Sequence, residues 1–272
     1  MRHLLTVLKF GGSVLRGPRD FTHAIAEVRR WNGAGTKVVA IVSAFEGTTD
    51  RLLAEARALH AGADHDPAAL AMLLATGEFT TAAQLTLALS AAGLRARTLG
   101  PGALALRARG DGADADPCSI NLAALERTLD AAEVAVVPGF IAQDDHGNLC
   151  LLGRGGSDIT AIFIAAHAGA ERCRLIKDVP GVYDRDPNLD RAGAHRFRTL
   201  HYDDALSLDG GIIQHKAVRF ARALGATFEV TAWARDDATR VGPSPSVFFE
   251  KPDARGARPS ERAHEPNAAL CH

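Results

Sequence analysis

The hydrophobic and polar positions of the chain form two kinds of segment. Short β-branched or apolar runs predict buried strands at Leu4–Phe10, Lys37–Ala44, Ala96–Leu99, Val134–Ile141, Arg174–Lys177 and Phe228–Ala232. Between such runs, apolar residues recur every three or four positions, which predicts amphipathic helices at Pro18–Trp31 and Thr49–His60. Strands that alternate with helices predict an α/β fold in which helices cover both faces of a mostly parallel sheet.

Three further segments give weaker signals. Ala68–Ala92 is rich in alanine and leucine but contains Gly77, which predicts either two helices or one kinked helix. The sequence QDDHGN at Gln143–Asn148 predicts a hairpin loop. Gly110–Pro117 is polar and rich in turn residues, so we expect an exposed excursion there.

Composition restricts the classes of partner. The 272 residues are 47% hydrophobic, enough for a sizeable core, and 31 Lys+Arg balance 32 Asp+Glu. This balance predicts no nucleic-acid or membrane partner. The four cysteines are scattered without a CxxC pair, no apolar run approaches about 18 residues, and the apolar start is too short for a signal peptide. We expect a cytoplasmic protein whose residues 1–249 form one domain and whose residues 250–272, poor in apolar residues, form a disordered tail.

The first candidate site is the turn KFGGS after the first strand. Lys9 ends the strand, so its ammonium would lie over the turn, where Gly11 and Gly12 let backbone amides approach a phosphoryl group. The GxxxxGK[ST] pattern of a P-loop is absent. The alternative is a glycine corner beside a solvated lysine.

Two further loops precede predicted helices. In VSAFEGTTD, Ser43 and Thr49 offer hydroxyls, although such residues are also ordinary helix caps. In GRGGSD, Arg154 can grip a carboxylate or phosphate, Ser157 is a predicted N-cap, and Asp158 can cap, hold a lysine or assist a metal. The alternative for this second loop is a hairpin end with a surface arginine.

Two other features complete the candidate chemistry. In KDVPGVYDRDP, a type II turn at Pro180–Gly181 would bring three rim residues together, either to hold adenine and ribose or only to structure the turn: Asp178, Tyr183 and Asp186. Glu78, a carboxylate beside Gly77, can orient a substrate ammonium or cap a helix that begins there.

Taken in order, these motifs resemble the catalytic domain of aspartate kinases, which belong to the amino acid kinase superfamily. The resemblance rests on KFGGS, IVSAFEGTTD, TGE, VVPGF, LGRGGSDITA and KDVPGVYDRDP, and it covers roughly Leu4 to Ala232. It implies a three-layer αβα sandwich around a largely parallel eight-stranded sheet. It also implies a homodimer that transfers a phosphoryl group from ATP, with Mg²⁺, to the side-chain carboxylate of L-aspartate.

The resemblance also implies roles for individual residues. It implies an amino-acid-binding part at about 1–150, a nucleotide-binding part at about 151–249, and catalytic roles for Lys9 and Asp158. It implies that the amino acid contacts Ser43, Thr49, Glu78, Arg154 and Ser157. It implies that the nucleotide contacts Gly11, Gly12, Lys177, Asp178, Tyr183, Asp186 and Lys216. No protein side chain is expected to be a metal ligand.

The sequence departs from the family pattern in three places. Ile212 stands where a GAKVLHP-like segment would carry a phosphate-binding lysine, and either Lys177 or Lys216 is a candidate replacement. Cys150 and Leu151 replace two threonines before GRGGSD. The sequence ends without the ACT domains usual in the family, so feedback control through such domains is not expected. These departures leave two alternatives: a kinase for another small carboxylate, or a catalytically weakened nucleotide-binding subunit.

Overall fold

A computed structural model describes residues 3–33, 35–59, 66–187, 189 and 193–250. The predicted tail at 250–272 lies, apart from its first residue, outside the described residues. Within the described ranges, no helix is long and apolar enough to cross a membrane.

The main sheet has nine strands in the order β13-β10-β12-β11-β9-β1-β2-β6-β3. Its strands are β1 (Leu4–Phe10), β2 (Thr36–Val42), β3 (Ala96–Thr98), β6 (Val134–Pro138), β9 (Arg172–Ile176), β10 (Phe197–His201), β11 (Phe228–Thr231), β12 (Thr239–Gly242) and β13 (Val247–Phe248). The strands from β11 to β3 in this order are parallel, and among the described strands of this sheet antiparallel pairing occurs only at β11–β12 and β10–β13. The predicted mostly parallel sheet is confirmed, with one strand more than the resemblance implied.

A second, four-stranded sheet lies beside the first. Its strands are β4 (Arg107–Arg109), β5 (Asp116–Ser119), β7 (Ile141–Gln143) and β8 (Leu149–Leu151). β7 and β8 form the predicted antiparallel hairpin around QDDHGN. The predicted single strand Val134–Ile141 is wrong, because the chain leaves the main sheet after Pro138 and turns at Phe140, whose φ is 68°. The predicted excursion Gly110–Pro117 is partly wrong, since Ala115 is buried and β5 begins at Asp116.

Helices cover both faces of the main sheet. They are α1 (Phe21–Trp31), α2 (Thr48–Leu59), α3 (Pro67–Ala91), α4 (Pro101–Leu104), α5 (Leu122–Ala131), α6 (Gly156–Ala168), α7 (Tyr202–Ser207) and α8 (His215–Leu224). One core contains α6 and α8, and the other, on the opposite face, contains α1 and part of α3. This arrangement is the predicted three-layer αβα sandwich.

The alternation of side chains along β1 directs its last charged residue to one face. Leu5 and Val7 belong to the core that contains α6, whereas Leu8 and Phe10 belong to the opposite core. Because side chains alternate along a strand, Lys9 shares the face of Leu5 and Val7. It therefore lies on the same side of the sheet as α6.

Gly77 does not interrupt its helix. α3 runs unbroken over 25 residues, so the predicted division into two helices is wrong. A β-carbon at Gly77 would lie 2.8 Å from the Ala44 β-carbon and 3.1 Å from Thr48 Cγ2. The glycine is needed because α3 packs directly against the loop between β2 and α2, which brings the next residue, Glu78, beside that loop.

Candidate active site

The main polar cluster lies where β1 and β9 end and α6 begins. Lys9 on β1 and Lys177, immediately after β9, both contact the carboxylate of Asp158 in the first turn of α6. Lys9 Nζ lies 2.7 Å from Asp158 Oδ1, and Lys177 Nζ donates a hydrogen bond of 2.9 Å to Oδ2. The sequence-based option that Asp158 holds a lysine is confirmed, and it holds two.

The turn after β1 has the shape that its sequence predicts. A β-carbon at Gly11 would lie 2.5 Å from Lys9 Nζ, so the ammonium occupies the space where a side chain at this position would be. The expectation that Lys9 lies over the glycine turn is confirmed. The alternative of a solvated lysine is wrong, because Lys9 is 5% exposed.

Burial and mutual attraction set the charges of this cluster. Burial lowers the pKa of Lys9 to about 8, although Asp158 opposes the shift, and the positive charge of Lys177 lowers it further. Burial alone would raise the pKa of Asp158, but the ammonium groups of Lys177 and Lys9 hold it at about 2. Asp158 is therefore an anion at neutral pH, and Lys9 stays mostly protonated there although its pKa is lowered.

Two serines connect the neighbouring loops to the cluster. Ser43 donates a hydrogen bond of 2.9 Å from its hydroxyl to Ser157 Oγ, and its backbone N–H donates to the Phe10 carbonyl at 3.1 Å. The prediction that Ser157 caps α6 is wrong, because the helix begins at Gly156 and its N-cap is Gly155, two residues before Ser157, with φ of 78°. Backbone N–H groups at the start of α6 therefore lie next to Asp158.

Glu78 is buried with one oxygen unpaired. Its Oε1 accepts a hydrogen bond of 3.2 Å from the Ala44 N–H, while its Oε2 has no hydrogen-bond partner among the described residues. Burial raises the pKa of Glu78 to about 7, although its backbone hydrogen bonds oppose this shift. The alternative that Glu78 caps a helix is wrong because α3 passes through this position.

The structure does not bring all predicted substrate residues into the polar cluster. Arg154 is exposed and lines a cavity of about 940 Å³ together with His215, Lys216 and Arg219. Thr49 is half-buried in the first turn of α2.

A second cavity, of about 440 Å³, is lined by residues of the segments 179–187 and 200–213. Tyr183 and Asp186 line it with apolar side chains that include Val182, Leu208 and Ile212. The two cavities share the segment 209–211 as a common wall. Asp178 is exposed and is not part of the lining. Of the three residues that the sequence predicted to lie together, Tyr183 and Asp186 line this cavity and Asp178 does not.

Lys216 is fully engaged by neighbouring loops. Its ammonium donates to the Asp114 carboxylate at 2.7 Å and to three backbone carbonyls, and it also lies 3.3 Å from Asp116. A side chain at Gly153 would collide with the Asp114 carboxylate, so this contact also fixes the loop before Arg154. Sequence reasoning missed both aspartates, since nothing in the polar run GDGADADP indicates a lysine about a hundred residues away.

The described residues offer no group of three metal-binding side chains. Both oxygens of Asp158 already contact ammonium groups, which leaves this carboxylate poorly suited to a cation. Magnesium in phosphoryl-transfer sites is usually held by one or two carboxylates together with substrate phosphates. Any Mg²⁺ at this site would therefore depend mainly on phosphate oxygens.

Comparisons with known proteins agree with this architecture. The sequence profile of the amino acid kinase family matches residues 5–228. An aspartokinase of Bacillus sp. (strain MGA3) is 33% identical over 242 residues, which are 87% of this chain and 58% of the relative. The chain thus spans little more than half the length of this curated relative. The crystal structure of aspartate kinase from Synechocystis aligns with a TM-score of 0.74 and 29% identity, over 89% of this chain and 40% of that one.

A more distant structure shares the fold. E. coli aspartokinase III in complex with aspartate and ADP aligns with a TM-score of 0.75 at 21% identity, over 89% of this chain and 65% of that one. The chain belongs to the amino acid kinase family, as the profile match over most of its length shows.

The raised pKa of Glu78 makes a prediction about stability. Its folded-state pKa of about 7 lies above its ordinary value of 4.5, so its contribution to stability is full below pH 4.5 and is lost as the pH rises through 7. Glu78→Gln, a neutral isostere, should be more stable than the wild type at pH 8, by up to ~3 kcal/mol. The difference should shrink towards pH 5 in urea unfolding. Glu55→Gln, at an exposed position, is the control, and a Glu78→Gln difference that does not change with pH would contradict the assignment.

Proposed function

We propose that this chain catalyses ATP-dependent phosphorylation of the side-chain carboxylate of L-aspartate to 4-phospho-L-aspartate. The observation that carries the proposal is the buried Lys9 ammonium, held by Asp158 over the Gly11 turn at the end of a parallel strand. A fixed cation beside free helix N–H groups suits a phosphate. The similarity to aspartokinases over most of the chain supports aspartate as the acceptor.

The proposed reaction needs no general base. A side-chain carboxylate oxygen of aspartate attacks the γ-phosphorus of ATP, and a new O–P bond forms. The bond from that phosphorus to the β–γ bridging oxygen breaks, and its electron pair stays on ADP. The acceptor is already ionised, so no proton is transferred. Catalysis then depends on positioning and charge neutralisation, for which Lys9 is the proposed catalytic cation and Asp158 the group that orients it.

The amino-acid substrate carries an ammonium as well as two carboxylates. The buried, unpaired Oε2 of Glu78 is a suitable acceptor for that ammonium, because pairing would compensate its desolvation. Arg154 is the proposed partner for the α-carboxylate, with Ser43, Thr49 and Ser157 near the substrate. E. coli aspartokinase III, which shares the fold, binds aspartate and ADP.

The nucleotide is proposed to occupy the cavity lined by Tyr183 and Asp186. Its 440 Å³ and its apolar wall suit an adenosine moiety. The phosphates would extend from there to the turn of Gly11 and Gly12 and to Lys9. Mg²⁺, when bound to those phosphates, would neutralise part of their charge. Asp178 does not line this cavity, so its proposed contact with the nucleotide rests on the resemblance alone.

The structure removes one reason for proposing a different acceptor. Cys150 and Leu151, which replace two threonines of the family, are buried in the hydrophobic cores. They line neither of the two cavities, so their change of residue type gives no specific support to another small carboxylate. Ile212 still supports the alternative of a catalytically weakened nucleotide-binding subunit. Its apolar side chain lines the cavity at the position where the resemblance implied a lysine.

We also propose that the chain is a homodimer. α3 contains a single charged residue, Glu78, and apolar residues lie on every side of it, which is typical of a helix with both faces covered. Nevertheless Met72, Phe79 and Leu87 are exposed. A second copy packed on this face would bury them. Light scattering of the purified chain should give twice the 28.7 kDa chain mass, and a monomeric mass at micromolar concentration would contradict the proposal.

The activity is tested by incubating the purified chain with ATP, Mg²⁺ and L-aspartate and trapping acyl phosphate with hydroxylamine. We expect aspartyl hydroxamate from the wild type and a loss of roughly 10²- to 10³-fold in Lys9→Met, by analogy with losing one transition-state donor. Lys37→Met, at the opposite end of the sheet, is the control. ATP binding without hydroxamate would contradict aspartate as acceptor, and a panel of other carboxylates would then separate another substrate from lost turnover.

A further inference from the structure

The cluster at the end of β1 contains more positive than negative charge. Lys9 and Lys177 contact the single carboxylate of Asp158, and the exposed fractions of the three side chains are 7%, 13% and 4%. Among the described residues, neither lysine forms an ion pair with another carboxylate. One positive charge is therefore left uncompensated in a mostly buried place. Such a charge is costly unless an anion accompanies it.

The strand register brings Lys177 level with the glycine turn. Phe10 pairs with Ile176 across β1 and β9, so the next residue of each strand, Gly11 and Lys177, stand side by side. The Lys177 N–H donates to the Thr231 carbonyl at 2.7 Å, which continues the pairing of β9 with β11 by one residue. The backbone of Lys177 is thus fixed by the sheet, unlike that of a loop lysine.

The two ammonium groups contact Asp158 differently. Lys177 donates an aligned hydrogen bond to Oδ2. Lys9 Nζ lies 2.7 Å from the other oxygen, Oδ1. Lys177 is also the more exposed of the two side chains. An ammonium has three donors, so Lys177 retains donors on its open side after pairing with Asp158.

Lys216, the other lysine of the proposed nucleotide-binding part, has neither an uncompensated charge nor free donors. Lys216 lies near two carboxylates, Asp114 and Asp116, and its donors are engaged by Asp114 and backbone carbonyls. Its charge is compensated, and an incoming phosphate would have to displace existing contacts. Of the two lysines, only Lys177 shares its carboxylate with another ammonium and so has a positive charge that no second carboxylate balances.

We propose that Lys177 is a second catalytic cation whose ammonium contacts the phosphoryl group during transfer while Asp158 holds both lysines in place. This inference rests on the proposed kinase function. The phosphoryl group spreads its charge over three equatorial oxygens, so two ammonium groups on different strands neutralise it better than one. Lys177 gives up no proton, and the bonds made and broken are those described above. The resemblance implied a positive charge at position 212, where Ile212 stands. Lys177, directly after β9, would supply that charge instead.

The test compares Lys177→Met, Lys177→Arg and the control Lys37→Met in two assays. The first is the kcat of hydroxamate formation. The second is the ratio of affinities for β,γ-methylene ATP and ADP, measured by calorimetry without aspartate. We expect Lys177→Met to lower kcat by roughly 10²- to 10³-fold and to reduce the preference for the triphosphate at least tenfold. Lys177→Arg keeps the charge and should recover at least tenfold of the lost kcat.

The folded state of each variant is checked by urea unfolding. Lys177→Met leaves a balanced Lys9–Asp158 pair, so no loss of stability is expected. A merely structural role would change the affinities for both nucleotides equally and leave their ratio unchanged. A kcat within threefold of the wild type with an unchanged ratio would overturn the inference while leaving the kinase proposal intact. Conversely, a wild type without hydroxamate activity but with a Lys177-dependent ratio would contradict the aspartate assignment and support the inference.

Discussion

The buried carboxylate of Asp158 is the constraint on which the rest of the site depends. It is the shared counter-ion of two ammonium groups that come from neighbouring parallel strands. Without it, Lys9 and Lys177 would be like charges held close together with little solvent, and their repulsion would drive them apart. With it, both remain near the glycine turn. One carboxylate thus keeps the positive charge in position before any substrate arrives.

The fold supplies this carboxylate with unusual rigidity. Every residue of α6 from Gly156 to Ala165 is buried, so the helix that carries Asp158 is enclosed on all sides. Glycines permit the approach of the surrounding loops: Gly155 takes a positive φ against Gln214, and Gly139 lies against Ser157, where a β-carbon would be 2.8 Å from the serine β-carbon. The start of α6 is consequently held in place by close packing at these two glycines.

The sequence predicted much of this arrangement where local rules suffice. The alternation of strands and helices gave the sandwich, and the position of Lys9 at the end of a strand gave its place over Gly11. The errors have physical causes. Gly77 looked like a helix break because glycine is a poor helix former, yet its role is close packing against Ala44. The carboxylates that contact Lys216 come from the segment 114–116, about a hundred residues away in sequence, and local patterns carry no information about such contacts. The two lysines on Asp158 required the register of β1 and β9.

The central claim is that the buried Lys9 ammonium, held by Asp158 over the glycine turn, binds the phosphate of a nucleotide. Burial lowers the pKa of Lys9 to about 8, and a bound polyphosphate should raise that pKa. The most direct measurement is calorimetry of β,γ-methylene ATP binding at pH 8 in two buffers with different ionisation enthalpies. The wild type should take up more protons per nucleotide bound than Lys9→Met does. Equal proton exchange in both proteins would contradict the account.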